Sequence, residues 1–197
     1  MIKLGVTGGI GSGKSVVSQL LELFGIPVFY ADKESKRLTS SSPVIKEKLI
    51  DMFGDEIYEG GKLNKPLLAS HIFNDVNKLQ AVNSIIHPEV IKRFENWAEE
   101  HKDSRVIAHE AAILFESGLN IFMDKIALVY APLNVRIDRV MKRDNVTEQK
   151  VLERIKNQMS DEDKMILSDY VIYNDEKHSL ISQVADLLSD LNYKIEK

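Results

Sequence analysis

A glycine-rich segment near the amino end is the feature that most constrains the fold of this chain. Residues 8–15 are Gly-Gly-Ile-Gly-Ser-Gly-Lys-Ser and match the pattern G-x-x-x-x-G-K-[ST] throughout. The residues Ile2–Thr7 before this segment predict a short buried strand, and the apolar residues of 16–24 recur on one face of a helix. A strand, this loop and a helix in that order predict a phosphate cradle at the end of a parallel sheet.

The residue types in this segment each have a physical role in holding a polyphosphate. Glycines reach the positive φ angles that turn backbone N–H groups inward, and the following helix adds the positive end of its dipole. Lys14 is expected to reach the β and γ phosphates, and the Ser15 hydroxyl is expected to ligate Mg²⁺. The alternative is a glycine-rich turn with a surface lysine. The residues predicted to bind the nucleotide are Gly9, Gly11, Ser12, Gly13, Lys14, Ser15 and Val16.

The remaining pattern predicts an α/β fold with a five-stranded parallel sheet flanked by helices. Four apolar runs after the first strand predict the other strands, at 26–30, within 105–114, at 125–131 and at 170–173. Helical spacing dominates residues 40–101, which are too many for one crossover and predict a helical insertion. The predicted organisation is a nucleotide-binding core of residues 1–39, 102–133 and 160–197, a substrate-binding insertion at 40–101 and a small helical lid at 134–159.

Two acidic residues follow predicted strands. Asp32 stands just past the second strand, and two neighbouring parallel strands would bring it close to a γ-phosphate held by the loop. There it could accept a proton from an attacking hydroxyl or help to hold Mg²⁺, and the alternative is an N-cap of the next helix. Glu110 lies in an otherwise apolar segment after the third strand, where it either binds Mg²⁺ through water or forms a salt bridge.

A basic stretch follows the fourth predicted strand. Arg136, Arg139 and Arg143 are three and four residues apart, so they share one helix face. Residues 136–156 contain seven Lys and Arg against four Asp and Glu, in a chain whose net charge is −4. This local excess of positive charge favours a mobile lid that closes arginines over a triphosphate. The alternative is a solvated basic face.

Composition and charge exclude several classes of function. The chain has no cysteine, which excludes a disulfide framework, Cys-ligated zinc and a thiol nucleophile. Its acidic balance and the lack of aromatic clusters beside the basic stretch argue against a nucleic-acid partner. Neither a signal peptide nor a run of about 18 apolar residues is present, so a cytoplasmic location without a membrane partner is predicted. His87, before Pro88, is expected to enter a helix or to pack, with a substrate contact favoured over catalysis.

The order of motifs along nearly the whole chain resembles the dephospho-CoA kinase family. The motifs that carry this resemblance are Val6–Ser15, Ala31-Asp32, Leu63-Asn64-Lys65, Ile72-Phe73, Ile86-His87-Pro88, Ile113–Glu116, Arg139–Asp144, Gln158 and Asp169–Asn174. Many families share the loop at 8–15, whereas the ordered set is far more specific. The family transfers the γ-phosphoryl group of ATP to the ribose 3′-hydroxyl of dephospho-CoA, the last step of coenzyme A biosynthesis.

The resemblance implies roles for several residues on the nucleotide side. Asp32 resembles the general base, and Lys14 and Arg139 would act with it in catalysis. Arg143 would be a second lid arginine on the nucleotide, and Asn174 would lie near the adenine. ATP is then the co-substrate.

On the metal and acceptor sides, the resemblance implies that Ser15 and Glu110 hold Mg²⁺, although many members have aspartate at the second position. Lys65 and His87 would contact dephospho-CoA together with the base, and Lys65 stands where arginine is common. ATP and dephospho-CoA are the implied small-molecule partners, and a monomer or weak homo-oligomer is expected.

Two other functions remain open on the residues alone. Residues 51–54 have the D-x-x-G form of the switch loop in a GTP-driven switch. However, Gly54 is more natural there as a helix end, and a guanine-binding Asn-Lys-x-Asp is absent from the sequence. Another small-molecule kinase, acting on nucleosides or nucleotides, is the second alternative; the long insertion argues against it only by resemblance.

Overall fold

The computed structural model describes residues 1–72 and 75–194, so Phe73 of the Ile72-Phe73 motif lies outside the described residues. The strands in these ranges are β1 (Ile2–Thr7), β2 (Val28–Tyr30), β3 (Tyr58–Glu59), β4 (Lys62–Leu63), β5 (Val106–Glu110), β6 (Lys125–Tyr130) and β7 (Tyr170–Tyr173). The helices are α1 (Lys14–Leu23), α2 (Ala31–Ser41), α3 (Pro43–Phe53), α4 (Lys65–Ile72), α5 (Val76–Glu100), α6 (Leu133–Asp144), α7 (Glu148–Lys156), α8 (Asp161–Leu167) and α9 (Leu180–Asp190). Single 3₁₀ turns cover Asp55–Ile57 and Leu119–Phe122.

Short-range sequence signals set several helix ends. The Ser42 hydroxyl accepts a hydrogen bond from the N–H of Ile45 at 3.4 Å, and Pro43 is the first residue of α3. Gly54 ends the same helix at a φ of 90°, so residues 51–54 form a helix end rather than a switch loop. The Ser160 hydroxyl caps α8 in the same way and accepts a hydrogen bond from the N–H of Asp163 at 3.0 Å.

The five-stranded sheet is parallel throughout, in the order β2-β5-β1-β6-β7, which confirms the predicted fold class. β5 lies between β1 and β2, and its last residue, Glu110, pairs with Val6 on one side and Tyr30 on the other. The expectation that β1 and β2 are neighbours is therefore wrong. Each crossover connection is long enough to pass over a strand position, so chain order does not reveal strand order.

The core of the sheet unit fixes both ends of the glycine-rich loop. Leu4 and Val6 of β1 and Val17 of α1 are fully buried, immediately before and after that loop. The other buried members of this cluster are Leu21, Ile26, Val106, Ala108, Ala127, Val129, Ile172, Val184, Leu187, Leu188 and Leu191. Because interiors are closely packed, the loop starts and ends at positions that cannot shift freely.

The chain divides into two compact units, one of residues 1–30 with 100–197 and one of residues 31–99. The second unit contains α2 to α5 and the antiparallel hairpin β3-β4, with Tyr58 opposite Leu63. The turn of this hairpin falls at Gly60-Gly61, and its two short strands are not among the predicted strands. Within 1–72 and 75–194, no helix combines the length and apolar character needed to cross a membrane.

α5 continues through Pro88, so the expectation that His87-Pro88 enters a helix is wrong. Proline cannot donate to the carbonyl four residues earlier, and inside a helix it usually costs about 3 kcal/mol. Apolar side chains at every fourth position are buried on both sides of it: Val82, Ile86, Val90, Phe94 and Ala98. The burial of this continuous stripe outweighs the missing hydrogen bond and keeps one helix of 25 residues.

His109 makes the stability of the sheet unit depend on pH. His109 is the residue before the last in β5, and its ring stacks on Phe29, with centroids 5.3 Å apart. Burial lowers the pKa of His109 from 6.5 to about 4. Between these values the unfolded chain binds more protons than the folded chain, so stability falls as the pH falls. We expect this group to lower the free energy of unfolding by about 2 kcal/mol between pH 7 and pH 5, measured by urea titration.

The matched control for this prediction is His109→Leu, which replaces the titratable imidazole with an apolar side chain of similar size. The variant should lose the part of the pH dependence that His109 causes. An equal fall in the free energy of unfolding for both proteins would show that His109 is not the titrating group.

Candidate nucleotide-binding site

The loop between β1 and α1 has the backbone and charge of an anion cradle. Gly13 precedes α1 in the left-handed conformation, with a φ of 95°. The Lys14 side chain is only 9% exposed and folds back over the loop. Its Nζ donates to the carbonyl of Gly8 at 2.9 Å and to that of Gly9 at 3.3 Å. An ammonium group and the amino end of a helix therefore meet at one loop, a combination that binds phosphate.

Ser12, Ser15 and Val16, at the end of the loop and the start of α1, differ in exposure. Ser15 and Val16 are exposed on the first turn of α1. Ser12 is buried, and its Oγ has no hydrogen-bond partner within the part of the chain that the structure describes. The backbone N–H of Ser12 donates to the carbonyl of Gly9 at 3.1 Å, which closes the turn. Ser15 is exposed, and its role as a Mg²⁺ ligand stays a prediction.

Asn174 and Arg139 approach the loop from elements that are distant in sequence. Asn174 follows β7, and its Nδ2 donates to the carbonyl of Ser12 at 2.8 Å. A Cβ at Gly13 would overlap this amide nitrogen, so glycine is required there. Arg139 of α6 donates to the carbonyl of Asn174 at 3.2 Å, and its second Nη lies 3.5 Å from Glu176. The structure therefore brings two of the predicted nucleotide-binding residues to the loop.

Ile10 of the loop is held by side chains from outside the loop. Its N–H donates to Oε1 of Gln158 at 2.8 Å, and its carbonyl accepts a hydrogen bond from Nε of Arg136 at 2.9 Å. Arg136 is only 3% exposed and forms an ion pair with Asp161, the first residue of α8. The helical spacing groups Arg136 with the two predicted lid arginines, but the structure buries it against the loop.

Arg143 is one turn further along α6 than Arg139, and the structure pairs it with a carboxylate. Its Nε lies 2.8 Å from Asp144 and its side chain is 61% exposed. Nη1 of Arg154 lies 2.6 Å from the same carboxylate. The two guanidinium groups lower the pKa of Asp144 to about 2, so this carboxylate is ionised at neutral pH. Two of the Arg143 nitrogens, Nε and Nη2, donate to this carboxylate.

Glu110 brings a carboxylate to the strand next to the loop. It is buried at the end of β5, in register with Val6 of β1 and Tyr30 of β2. The Tyr30 hydroxyl donates to Glu22 at 2.9 Å. Burial, this hydrogen bond and the charges of Glu22 and Glu110 all raise the pKa of Tyr30. Because Glu110 is the last residue of β5, it lies at the carboxyl edge of the sheet, where open α/β sheets bind ligands.

Lys164 of α8 is fully buried, a feature that the sequence did not reveal. Its Nζ donates to the carbonyl of Ala112 at 3.0 Å and lies 2.9 Å from Oε1 of Glu116. The same carboxylate oxygen accepts a hydrogen bond from the N–H of Met159 at 2.8 Å. This network fixes the segment that follows Glu110. In the sequence, the only indication of this network is Glu116, an acidic residue at the end of an apolar motif that needs a partner.

Replacing Lys164 with methionine should lower the free energy of unfolding by about 2–3 kcal/mol, because a carbonyl and a carboxylate lose a charged donor. Glu116 is 21% exposed, so water restores part of its solvation. Chemical denaturation measures the change. The double variant Lys164→Met/Glu116→Gln should lose less than the sum of the two single variants. Strict additivity would contradict the pairing.

The remaining predicted site residues lie in the 31–99 unit, on three different helices. α2 begins at Ala31, so the exposed Asp32 lies inside its first turn rather than at the N-cap. Lys65 is the exposed first residue of α4. His87 is half-buried within α5, and burial lowers its pKa, so the imidazole is neutral at pH 7.

The family model and the named relatives point to the same family. The model of the dephospho-CoA kinase family matches residues 2–179. Two dephospho-CoA kinases from strains of Bacteroides fragilis are 46% and 48% identical over 194 and 195 residues, which is 98% of this chain and 95% of each relative. The crystal structure of TT1252 from Thermus thermophilus has a TM-score of 0.85 at 32% identity and covers 96% of both chains. These findings confirm the resemblance and leave the GTP-driven switch without support, so the chain belongs to the dephospho-CoA kinase family.

Proposed function

We propose that this chain transfers the γ-phosphoryl group of ATP to the ribose 3′-hydroxyl of dephospho-CoA, as the last step of coenzyme A biosynthesis. The family match over residues 2–179 carries this function. The anion cradle at Gly8–Ser15, with the buried Lys14, is the part of the structure that supports it. ATP and dephospho-CoA are its small-molecule substrates.

Phosphoryl transfer depends mainly on position and charge, since the transferred group needs little covalent help. The loop amides and the amino end of α1 would stabilise the triphosphate. Lys14 would exchange the carbonyls of Gly8 and Gly9 for the β and γ phosphates. Arg139, which already lies beside Asn174 near the loop, would neutralise charge that develops on the transferred group.

Mg²⁺ fits the donors that the loop and sheet supply. It prefers oxygen ligands, keeps several waters and usually takes one or two carboxylates plus substrate phosphates. Ser15 has an exposed hydroxyl and Glu110 a carboxylate at the sheet edge. Among the described residues, no group of three or more His, Cys, Asp and Glu could hold a metal ion. When bound, Mg²⁺ would offset phosphate charge, with Ser15 and Glu110 as its protein ligands.

Asp32 is the proposed general base. It is the second residue after β2, a strand whose carboxyl end lies at the same sheet edge as those of β1 and β5. Its carboxylate is exposed, so it is accessible to an incoming hydroxyl. A carboxylate in this role orients the 3′-hydroxyl and accepts its proton.

The helical residues 40–101 are the proposed binding region for dephospho-CoA. Lys65 would supply charge to its phosphates, and a neutral His87 would offer a hydrogen bond rather than charge. Residues 134–159, which include α7 and all of α6 except its first residue, are the proposed lid. A cytoplasmic location, a monomeric or weakly associating state and the lack of a nucleic-acid partner remain predictions from the sequence.

An assay of ADP release with four different acceptors tests the acceptor directly. ADP release is measured with ATP and Mg²⁺ while dephospho-CoA, adenosine, AMP and pantetheine phosphate are offered in parallel. We expect kcat/KM for dephospho-CoA to exceed the others by orders of magnitude. Equal turnover with adenosine or AMP would overturn the proposed acceptor.

A further inference from the structure

We infer that Gln158 and Arg136 are positioning residues for ATP, because they hold Ile10 and thereby set the conformation of the phosphate loop. The inference rests on the proposed use of this loop as the ATP site. Neither residue lies in the loop, and both belong to the segment of α6 to α8. Their contacts to the loop are to its backbone, which is the part that binds phosphate.

Ile10 is held in three ways by this one segment. Its N–H donates to Gln158 at 2.8 Å, and its carbonyl accepts from Arg136 at 2.9 Å. Its side chain packs against a small buried cluster of α6 and α7, whose members include Val140 and Val151, both fully buried. A loop residue with both backbone groups and its side chain engaged cannot rotate its peptide groups independently of α6 and α7.

The guanidinium of Arg136 suits this role because it is a rigid fork. Nε reaches the Ile10 carbonyl while Nη1 pairs with Asp161, so one planar group joins the loop to the start of α8. The same guanidinium lies against Gly9, where a Cβ would overlap it. A side chain at position 9 would therefore have to displace the Arg136 guanidinium.

Loss of the contacts to Ile10 is expected to change the binding of ATP rather than the binding of the acceptor. A cradle of N–H groups binds phosphate well only if the groups already point inward, because ordering them on binding lowers affinity. If the hold on Ile10 is released, the loop samples other conformations and the affinity for ATP falls. Binding of dephospho-CoA, which does not use this loop, should be unaffected.

The test compares Gln158→Leu with Gln158→Glu. The side chains have similar size, but only glutamate keeps an oxygen that can accept from the Ile10 N–H. Calorimetric titration with ATP and Mg²⁺ should show about a tenfold loss of affinity for Gln158→Leu and a change of less than about threefold for Gln158→Glu. The KM for ATP should rise in Gln158→Leu while the KM for dephospho-CoA stays constant. The Ile10 amide should exchange its hydrogen faster in Gln158→Leu alone.

Arg136→Lys provides a second, independent variant. Lysine keeps the charge for Asp161 but has no fork, so it cannot make both contacts at once. It should lose ATP affinity by about tenfold and keep its circular dichroism spectrum. Lys125→Gln is the matched control, since Lys125 also pairs with an aspartate, at 2.7 Å, but lies at the start of β6. Its affinity for ATP should not change.

Two results would overturn the inference: unchanged ATP affinity in Gln158→Leu, or equal losses in the Leu and Glu variants. If Gln158→Leu does not fold, unchanged ATP affinity in Arg136→Lys overturns it in the same way. Lys14→Ala, titrated in parallel, separates this outcome from failure of the proposed site. If wild type binds ATP and Lys14→Ala does not, the loop is the ATP site whatever Gln158→Leu shows.

Discussion

Lys14→Ala is expected to lower kcat/KM for phosphoryl transfer by roughly a thousandfold. A fixed donor in a site that excludes water typically contributes that much to the stability of a transition state. Lys14 is only 9% exposed and lies over the loop, where it would exchange the carbonyls of Gly8 and Gly9 for phosphate oxygens. Steady-state release of ADP with ATP, Mg²⁺ and dephospho-CoA measures the loss.

The loss must be separated from unfolding. Lys14→Ala leaves the carbonyls of Gly8 and Gly9 without this donor, so a fall in stability of about 1–2 kcal/mol is expected with an intact fold. Circular dichroism and urea titration check this. Lys125→Ala, at an exposed lysine on the starting edge of the sheet, is the control and should keep its turnover. Near-normal turnover of Lys14→Ala would contradict the cradle.

Asp32→Asn should keep its affinity for ATP and lose about two to four orders of magnitude in turnover. Asparagine has nearly the same shape but cannot accept the proton of the 3′-hydroxyl, and general base catalysis is worth about this much. Because Asp32 is exposed in the first turn of α2, its replacement should not disturb packing. Calorimetric titration gives the affinity, and rapid mixing gives the rate of transfer.

A neighbouring acid of the same helix gives the control for Asp32→Asn. Glu34 pairs with Arg37 at 2.8 Å within α2, and Glu34→Gln should leave turnover unchanged. If Asp32→Asn instead loses affinity for ATP and Mg²⁺, Asp32 is a metal-binding or structural residue. If its turnover is unchanged, another group accepts the proton.

Local signals made the phosphate loop predictable. The glycines, Lys14 and Ser15 act through backbone conformation and short reach within eight consecutive residues, so their arrangement follows from the sequence itself. The strands of the sheet were predictable for a similar reason, because continuous apolar runs are buried on both faces of a parallel sheet. The caps at Ser42 and Ser160 also depend on residues only three positions apart.

Contacts across the chain were not predictable in this way. The apolar patterns of β1, β2 and β5 are interchangeable, so they do not show that β5 lies between the other two. Arg136 shares a helix face with Arg139 in the sequence, yet it is buried because Ile10 and Asp161, 126 and 25 residues away, supply its partners. Pro88 predicts a helix boundary, but the buried stripe on either side maintains the helix.

The sequence by itself determined that this chain holds a phosphate loop at the end of a parallel sheet, and its ordered motifs indicated the family. Only the tertiary structure decided which strand lies beside the loop, which arginine supports it and which lysine is buried beneath the segment after Glu110. The physical reason is the distance along the chain between the residues that interact. Backbone conformation and hydrophobic period act between near neighbours, whereas strand order and buried ion pairs depend on which distant residues the packed core brings together.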